Sequence, residues 1–368
     1  MQSEFNPPAV LPLTLQEMPP KWAHLTLEVL NFINNQLGLN LQNRGLLLGV
    51  SGGVDSVSML LMFKAVQQKL NLKLEVAHLD HGLRPSSRQE AEWVAALCCR
   101  LGLPCHLRRV DLGSGERALE EKGRQARYAF FRETREQSGL DYLALAHNLN
   151  DLAEDQLMRL LRGCGWPELG GMPGFDPRRG LLRPLLLQPR RKLEQMPAEL
   201  GVGHMEDESN QSDKYTRNRV RRQIVPLLEQ ENQGYLKHAE TLWKLAWADQ
   251  AYWDGYLLSF KPDIRKAAGS CGQSSHHVEV AIALDATAAR SEAVSLRLYR
   301  QCLLCLAEAN GVAPFFTPAA QLFEINRAVK RRKTGQGSGV MRIQFPGGAE
   351  AVVAGREIIF RLKQKASS

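Results

Sequence analysis

Hydrophobic and polar positions follow two periods in the first half of the chain. Short apolar runs at Leu46 to Val50, Leu72 to Ala77, Pro104 to Val110 and Asp141 to Ala146 read as strands. The longer stretches between them, Val54 to Leu70, Pro85 to Leu101 and Arg117 to Gln137, carry helical spacing, and Asp151 to Arg162 continues the rhythm after the last strand. Strand and helix in strict alternation predict an α/β fold, a parallel doubly wound sheet with helices on both faces and right-handed crossovers. The second half differs. Residues Asp176 to Gln223 are dense in arginine and lack a clear period. Glu229 to Phe260 reads as helical, with Trp243, Trp247 and Trp253 as packing residues rather than stacking platforms. Val278 to Ala309 and Thr317 to Val329 read as further helices, and Met341, Ile343 and Phe345 alternate with polar neighbours before Pro346-Gly347-Gly348 and the strand-like runs Ala351 to Ala354 and Glu357 to Leu362.

In an open parallel sheet, ligands sit beyond the carboxyl ends of the strands. Three polar clusters fall there. Ser51-Gly52-Gly53-Val54-Asp55-Ser56 follows the first strand, His78-Leu79-Asp80-His81-Gly82 the second, and His147-Asn148-Leu149-Asn150-Asp151 the fourth. A buried strand emptying into two glycines and a helix start suits phosphate: no Cβ blocks the approach to backbone N–H groups, and the helix N-terminus adds partial positive charge. No Gly-Lys-Ser/Thr follows, so this is not a Walker loop. On the next helix, Asp151, Glu154 and Asp155 lie at i, i+3 and i+4 and share a face. Acids in a first turn also complement the helix dipole, which accounts for one or two of them more easily than for three.

The length of 368 residues suggests two or three domains. The composition, 47 Lys+Arg against 39 Asp+Glu, gives a net charge of +8, which favours a polyanionic partner. Seven cysteines without scaffold spacing fit a reducing compartment, and Cys302 with Cys305 read as core residues of an apolar helix. No apolar run approaches the roughly 20 residues of a membrane span and the start has no signal-peptide pattern, so a cytoplasmic protein without membrane contact is expected. The expected organisation is a flexible lead over 1–22, a catalytic domain over 23–225, a helical linker over 226–268 and a C-terminal domain over 269–368.

Ser-Gly-Gly-x-Asp-Ser after a strand resembles the pyrophosphate loop of the ATP pyrophosphatases (PP-loop, adenine nucleotide α-hydrolase-like). The resemblance sharpens to the tRNA(Ile)-lysidine synthetases through His78 to Arg84, Glu120 to Tyr128, His147 to Glu154 with Leu160-Leu161-Arg162-Gly163, Ser209-Asn210, and Thr216 to Arg221. It covers most of the chain. It implies adenylation of O2 of the wobble cytidine of a CAU-anticodon isoleucine tRNA by ATP, then attack of free L-lysine at C2 with release of AMP. ATP and Mg2+ are the implied cofactors, tRNA and lysine the partners, and a homodimer the implied assembly. By resemblance, Ser51, Gly52, Gly53, Val54, Asp55 and Ser56 hold the nucleotide, and Asp55 acts with magnesium or orients the phosphates. Asp151 and Glu154 bind magnesium or receive the lysine ammonium. Arg124 or Arg127 neutralises developing charge or positions the cytidine, although spacing alone reads both equally well as helix-surface cations. His147 contacts phosphate or simply ends a strand. The C-terminal part resembles an appended tRNA-binding domain, and Arg84, Arg217, Asn218, Arg219, Arg221, Lys330, Arg331 and Arg332 are candidate tRNA contacts. Asn148, Asn150 and Asp155 depart from residues common in that family (histidine, aspartate and threonine). A PP-loop tRNA sulfur transferase and a tRNA-binding paralogue without catalysis are the alternatives, although Cys98, Cys99, Cys105 and Cys164 form no spaced pair.

Overall fold

The structure is a computed structural model that describes residues 14–80, 87–110, 119–205, 216–257, 260–266, 278–288, 290–312, 315, 317–337 and 339–362. The chain divides into two units, Met1–Asp155 with Gly171–Thr241, and Gln156–Gly170 with Leu242–Ser368.

The first unit opens with helix α1 (Pro20–Asn31), which buries Trp22, Leu25 and Val29. Strand and helix then alternate: β1 (Gly45–Gly49), α2 (Val54–Val66), β2 (Lys73–Asp80), α3 (Ser87–Arg100), β3 (Cys105–Arg109), α4 (Leu119–Gln137), β4 (Tyr142–Leu145) and α5 (Leu149–Leu161). Two short strands, β5 (Phe175–Asp176) and β6 (Leu181–Leu182), complete a six-stranded sheet in the order β3-β2-β1-β4-β6-β5. The predicted parallel pairing holds from β3 across to β6, and β5 runs antiparallel at the edge. Leu46, Leu47 and Leu48 in β1 are fully buried, as a central strand covered on both faces demands. Helix α2 is buried almost all round, Met59 to Phe63 included, which explains why its sequence lacks a polar stripe. On another face, Phe130 and Phe131 of α4 pack with Leu47, Leu143 and Leu145.

The arginine-rich region is not irregular throughout. It forms α6 (Arg190–Leu193), α7 (Gln195–Glu199) and α8 (Thr216–Arg219), the last running through a π-turn at Val220–Ile224 into α9 (Val225–Glu231). Helix α10 (Tyr235–Leu257) follows a break at Asn232, whose backbone is extended and whose side chain accepts from the Gly234 N–H at 2.8 Å. The expected single helix over Glu229 to Phe260 is therefore two.

The second unit contains β7 (Asp263–Lys266), β8 (Val278–Ala283), α11 (Leu284–Ala288), α12 (Glu292–Ala309), α13 (Ala319–Lys333), β9 (Met341–Gln344), β10 (Ala349–Ala354) and β11 (Glu357–Leu362). Its five strands form an antiparallel sheet in the order β7-β8-β11-β10-β9. Val278 to Ala283 corrects the helical expectation for that stretch: the segment lies between β7 and β11 with Val280, Ala281 and Ile282 buried. Tyr299, Leu303, Ile325, Val353 and Phe360 fill the core between sheet and helices, and Cys302 is a buried member of it, its thiol pushed up by burial. The expected Gly269 to Ser275 linker lies outside the described residues. No helix among the described residues is long and apolar enough to cross a membrane.

Gly49 closes β1 where the sheet is tightest. A Cβ there would lie 2.5 Å from Leu145 Cδ2 and 3.2 Å from the Phe131 ring. Gly49→Ala is expected to lower stability by roughly 1–3 kcal/mol through overpacking, measured as a lower urea midpoint; an unchanged midpoint would show that the neighbours yield freely.

Candidate active site

The bend after β1 is organised by its own side chains. Gly52 has φ +92°, a conformation that side chains disfavour. The Ser51 N–H donates to Ser56 Oγ at 3.2 Å, and Ser56 Oγ donates to the Gly53 carbonyl at 2.8 Å. From across the bend, the Met205 N–H donates to the Gly52 carbonyl at 2.9 Å. The first turn of α2, with its unsatisfied N–H groups, starts directly behind it at Val54. One strand over, buried His78 contacts the Val50 carbonyl through Nδ1 at 2.8 Å, and burial keeps its ring pKa below the ordinary value.

Helix α5 begins with a reciprocal cap. The Asn148 N–H donates to Asp151 Oδ2 at 3.0 Å, and the Asp151 N–H donates to Asn148 Oδ1 at 3.1 Å, an Asn/Asp version of the capping box. Asn150 Oδ1 accepts from the Arg190 N–H at 3.0 Å. The departures at 148 and 150 therefore have local structural roles. Asp155 sits one turn further on and its charge acts on buried Arg183, which donates to the Pro173 carbonyl at 2.7 Å.

The acidic pair meets two arginines. Arg221 Nε donates to Glu154 Oε1 at 2.6 Å and its Nη2 to Asp151 Oδ1 at 2.8 Å. Arg217 Nε donates to Glu154 Oε2 at 3.1 Å, and its Nη2 lies 3.4 Å from Asp151 Oδ1. Spacing produces the match: arginines at i and i+4 on one helical segment face acids at i and i+3 on another. Glu154 is only 2% exposed, so its charge needs these partners. The π-turn that follows α8 lies at this contact, a common place for such a distortion.

Asp55, in the first turn of α2, joins the same cluster. Its pKa is raised from 3.8 to about 6, chiefly by burial and further by the Asp151 charge, with Arg190 opposing. Oδ1 of Asp55 is enclosed and has no hydrogen-bond partner among the described residues. His147 follows β4, its Nδ1 equally enclosed and likewise without a partner among them. Burial, reinforced by the charges of Arg183, Arg217 and Arg124, drops its pKa to about 4 against the pull of Asp151, so the ring is neutral at physiological pH. Arg124 and Arg127, exposed on α4, reach these strand ends electrostatically, Arg124 acting on His147 and Arg127 on His78.

The remaining sequence candidates separate. Arg84 and the Ser209-Asn210 motif lie outside the described residues. Arg219 is exposed and donates to Thr216 Oγ1 at 3.1 Å, while Asn218 is half-buried. In the second unit, Lys330 pairs with Glu292, and Arg332 bonds the carbonyls of Gly339, Val353 and Gly355; Arg331 is exposed. Sequence reasoning passes over Met205 and reads Arg190 only as one cation of a basic segment, Arg178 to Lys192, suited to phosphate contacts; both brace the site through main-chain N–H groups, a role without a side-chain signature.

Magnesium takes oxygen ligands, often one or two carboxylates together with substrate phosphates. Asp55 offers an uncommitted buried oxygen of that kind, whereas both oxygens of Asp151 are engaged by Asn148 and the arginines. Among the described residues no group of three or more His, Cys, Asp or Glu is arranged as a metal cage, so the protein side of such a site fits a phosphate-borne ion.

A central parallel strand, a Ser-Gly-Gly bend and a helix N-terminus at the strand ends define a PP-loop nucleotide site, and the PP-loop domain family matches residues 23–228. A tRNA(Ile)-lysidine synthase of Nitratidesulfovibrio vulgaris is 38% identical over 336 residues, 88% of this chain and 93% of that protein. Another, from Enterococcus faecalis, is 40% identical over 193 residues, 52% of this chain and 42% of that protein. The chain belongs to the tRNA(Ile)-lysidine synthase family of PP-loop enzymes. It spans nearly all of the first relative and less than half of the second. Among solved structures, a U34-tRNA thiolase from Methanococcus maripaludis with a [4Fe-4S] cluster superposes with TM-score 0.50 at 16% identity, covering 69% of this chain and 84% of that one, which is a likeness of fold.

Asp55 gives the site a measurable signature. Its native pKa lies above its unfolded one, so the native state holds the proton more tightly; its contribution to stability is complete below about 4 and is lost as pH rises through about 6. The shift corresponds to on the order of 3 kcal/mol. Without nucleotide, Asp55→Asn is expected to be more stable than the parent protein at pH 7.5, with the difference shrinking towards pH 4 in denaturant titrations. A difference independent of pH would mean that Asp55 is not strained.

Proposed function

We propose that this chain converts the wobble cytidine of an isoleucine tRNA with a CAU anticodon into lysidine, using ATP and free L-lysine. The observation that carries this reading is the convergence of the phosphate bend and the acidic pair: Asp55, in the first turn behind the bend, feels the charge of Asp151 and itself acts on Arg221 of the carboxylate cluster. Membership of the lysidine synthase family supports the choice of substrates.

The ring carbonyl of cytidine is a poor electrophile until its oxygen carries a leaving group. O2 attacks the α-phosphorus of ATP, the bond to the bridging oxygen breaks, and pyrophosphate departs from the bend formed by Ser51, Gly52, Gly53 and Ser56. Donors at a helix N-terminus oppose the charge that develops on the leaving group. The lysine ε-amine then adds to C2, AMP leaves with O2, and the amine proton is lost. Since a free amine of this kind has a pKa of about 10.4, the site must accept a proton. Asp151 and Glu154 receive the lysine ammonium by dividing their acceptor oxygens between it and the guanidiniums of Arg217 and Arg221, and Asp151, the more exposed of the two acids, accepts the proton. Neutral His147 contributes an imidazole nitrogen towards the phosphates without adding charge. Arg124 and Arg127 neutralise the adenylate from the α4 side. Magnesium, carried by the phosphates and held by Asp55, supplies further charge neutralisation when bound. The reading carries with it a cytoplasmic location, a homodimer and contacts from Arg84, Asn218, Arg219 and Arg331 to tRNA phosphates.

Incubation with ATP, magnesium, radiolabelled lysine and a CAU-anticodon isoleucine tRNA transcript tests the reaction. Lysine-dependent label in RNA is expected. In a parallel incubation without lysine, label entering RNA from a 35S-labelled sulfur donor would assign the chain to thiolation, and tRNA binding without either product would make it a non-catalytic binder. Asp151→Asn is expected to lower incorporation at least ~100-fold, as the loss of a general base does, with tRNA affinity nearly unchanged; parent-like turnover removes Asp151 from the chemistry.

A further inference from the structure

The last two turns of α10 carry an aromatic group that core packing does not explain. Tyr252 and Tyr256, four residues apart, have ring centroids 6.4 Å apart with planes 22° from parallel. Trp253 meets them edge-on at 5.6 and 5.7 Å. Tyr252 is 65% exposed and Tyr256 45%. A single exposed tyrosine needs no account, but two near-parallel rings held by a third are an ordered apolar surface facing water.

Cations adjoin that surface. Tyr256 also lines a cleft of about 660 Å³ with Leu257, Phe260, Lys261 and Arg290, so that among the described residues the cleft has two basic linings and no acidic one. Both Lys261 and Arg290 are exposed. Arg297 of α12 places its guanidinium 5.3 Å over the Trp253 ring, and its buried Nη1 has no hydrogen-bond partner among the described residues. The nearby acids Asp249 and Asp254 act on Arg297, and Asp254 also accepts from Gln250 at 2.6 Å. Aromatic faces beside a cation-lined hollow match one ligand chemistry well: a flat base to stack and a phosphate to neutralise. Double-stranded RNA hides its base faces, so the match is to an unpaired nucleotide.

We propose that Tyr252 and Tyr256 form a stacking platform for an unpaired nucleotide of the RNA substrate, with the adjoining phosphate held between Lys261 and Arg290. This rests on the reading of the chain as a tRNA-modifying enzyme and adds to it a site in the second unit, away from the residues that carry the chemistry in sequence. A loop nucleotide and the single-stranded 3′ end offer the same chemistry.

The test uses the full chain and fluorescence-detected binding of the tRNA transcript, which requires no turnover, beside lysine incorporation. Changing both Tyr252→Ala and Tyr256→Ala is expected to weaken tRNA binding ~10-fold or more, while Tyr252→Phe with Tyr256→Phe stays within about twofold, since stacking needs the ring and not the hydroxyl. The loss appears in KM for tRNA rather than in kcat. Lys261→Ala with Arg290→Ala is expected to weaken binding and, since one phosphate is held between them, to reduce the salt slope by about one. A transcript lacking its unpaired 3′ end distinguishes the two sources: loss of the tyrosine effect assigns the 3′ end, and its persistence assigns a loop. Unchanged affinity in a normally folded alanine variant overturns the platform, as does an equal loss in the phenylalanine variant. If the parent protein binds tRNA through these tyrosines yet incorporates no lysine, the platform stands and only the assignment of the reaction falls.

Discussion

A buried and a half-buried carboxylate facing two guanidiniums are the constraint on which the site depends. Glu154 is almost wholly withdrawn from water, and an unpartnered carboxylate there would lose several kcal/mol of solvation. Arg217 and Arg221 offset that loss and fix the acids in orientation. The same contact ties the helical segment beginning at Thr216 to the start of α5, which the β4 strand delivers to the sheet edge. Folding and the proposed chemistry thus draw on one set of charges. Removing a partner from such a pair leaves the other charge buried, so this network resists piecemeal change.

Around that network, the field is uneven. Burial raises the pKa of Asp55 and the Asp151 charge adds to the rise, while Arg190 moderates it. His147 stands on the opposite side of the balance, kept neutral by burial and by the basic residues nearby. Asp55 and His147, shifted in opposite directions, thus stand close to the two acids that the arginines hold.

Much of this is legible in the chain because local rules and global fold agree there. The run Leu46 to Val50, the glycines after it and the buried helix that follows could hardly form anything but a central strand and a phosphate bend. The acids at 151 and 154 announce a shared face by spacing alone. What the sequence conceals is their company. Arg217 and Arg221 read as phosphate contacts because a basic run carries no mark of its partner, though the four-residue spacing opposite a three-residue one is an available signal. Asn148 looks like a loss of function beside the residue common in the family, whereas its amide caps the helix and braces Asp151. Val278 to Ala283 reads as helix because six apolar-rich residues run directly into the short helix α11 without a turn residue between them, and so short a run fits either period. Arg332 looks available to RNA, but three backbone carbonyls use it to join the end of α13 to the strands beside it.

The bend at Gly52 also sorts polarity. Its left-handed conformation lets the Gly52 oxygen turn to the Met205 amide, while the Gly53 oxygen is taken up by Ser56 and by the Val57 N–H at 3.0 Å. With these two carbonyls engaged inside the protein, the bend turns fewer lone pairs outward, which lowers the repulsion an approaching triphosphate meets. Where two carbonyls point thus favours an anion, a contribution that does not depend on the protonation of the acids nearby.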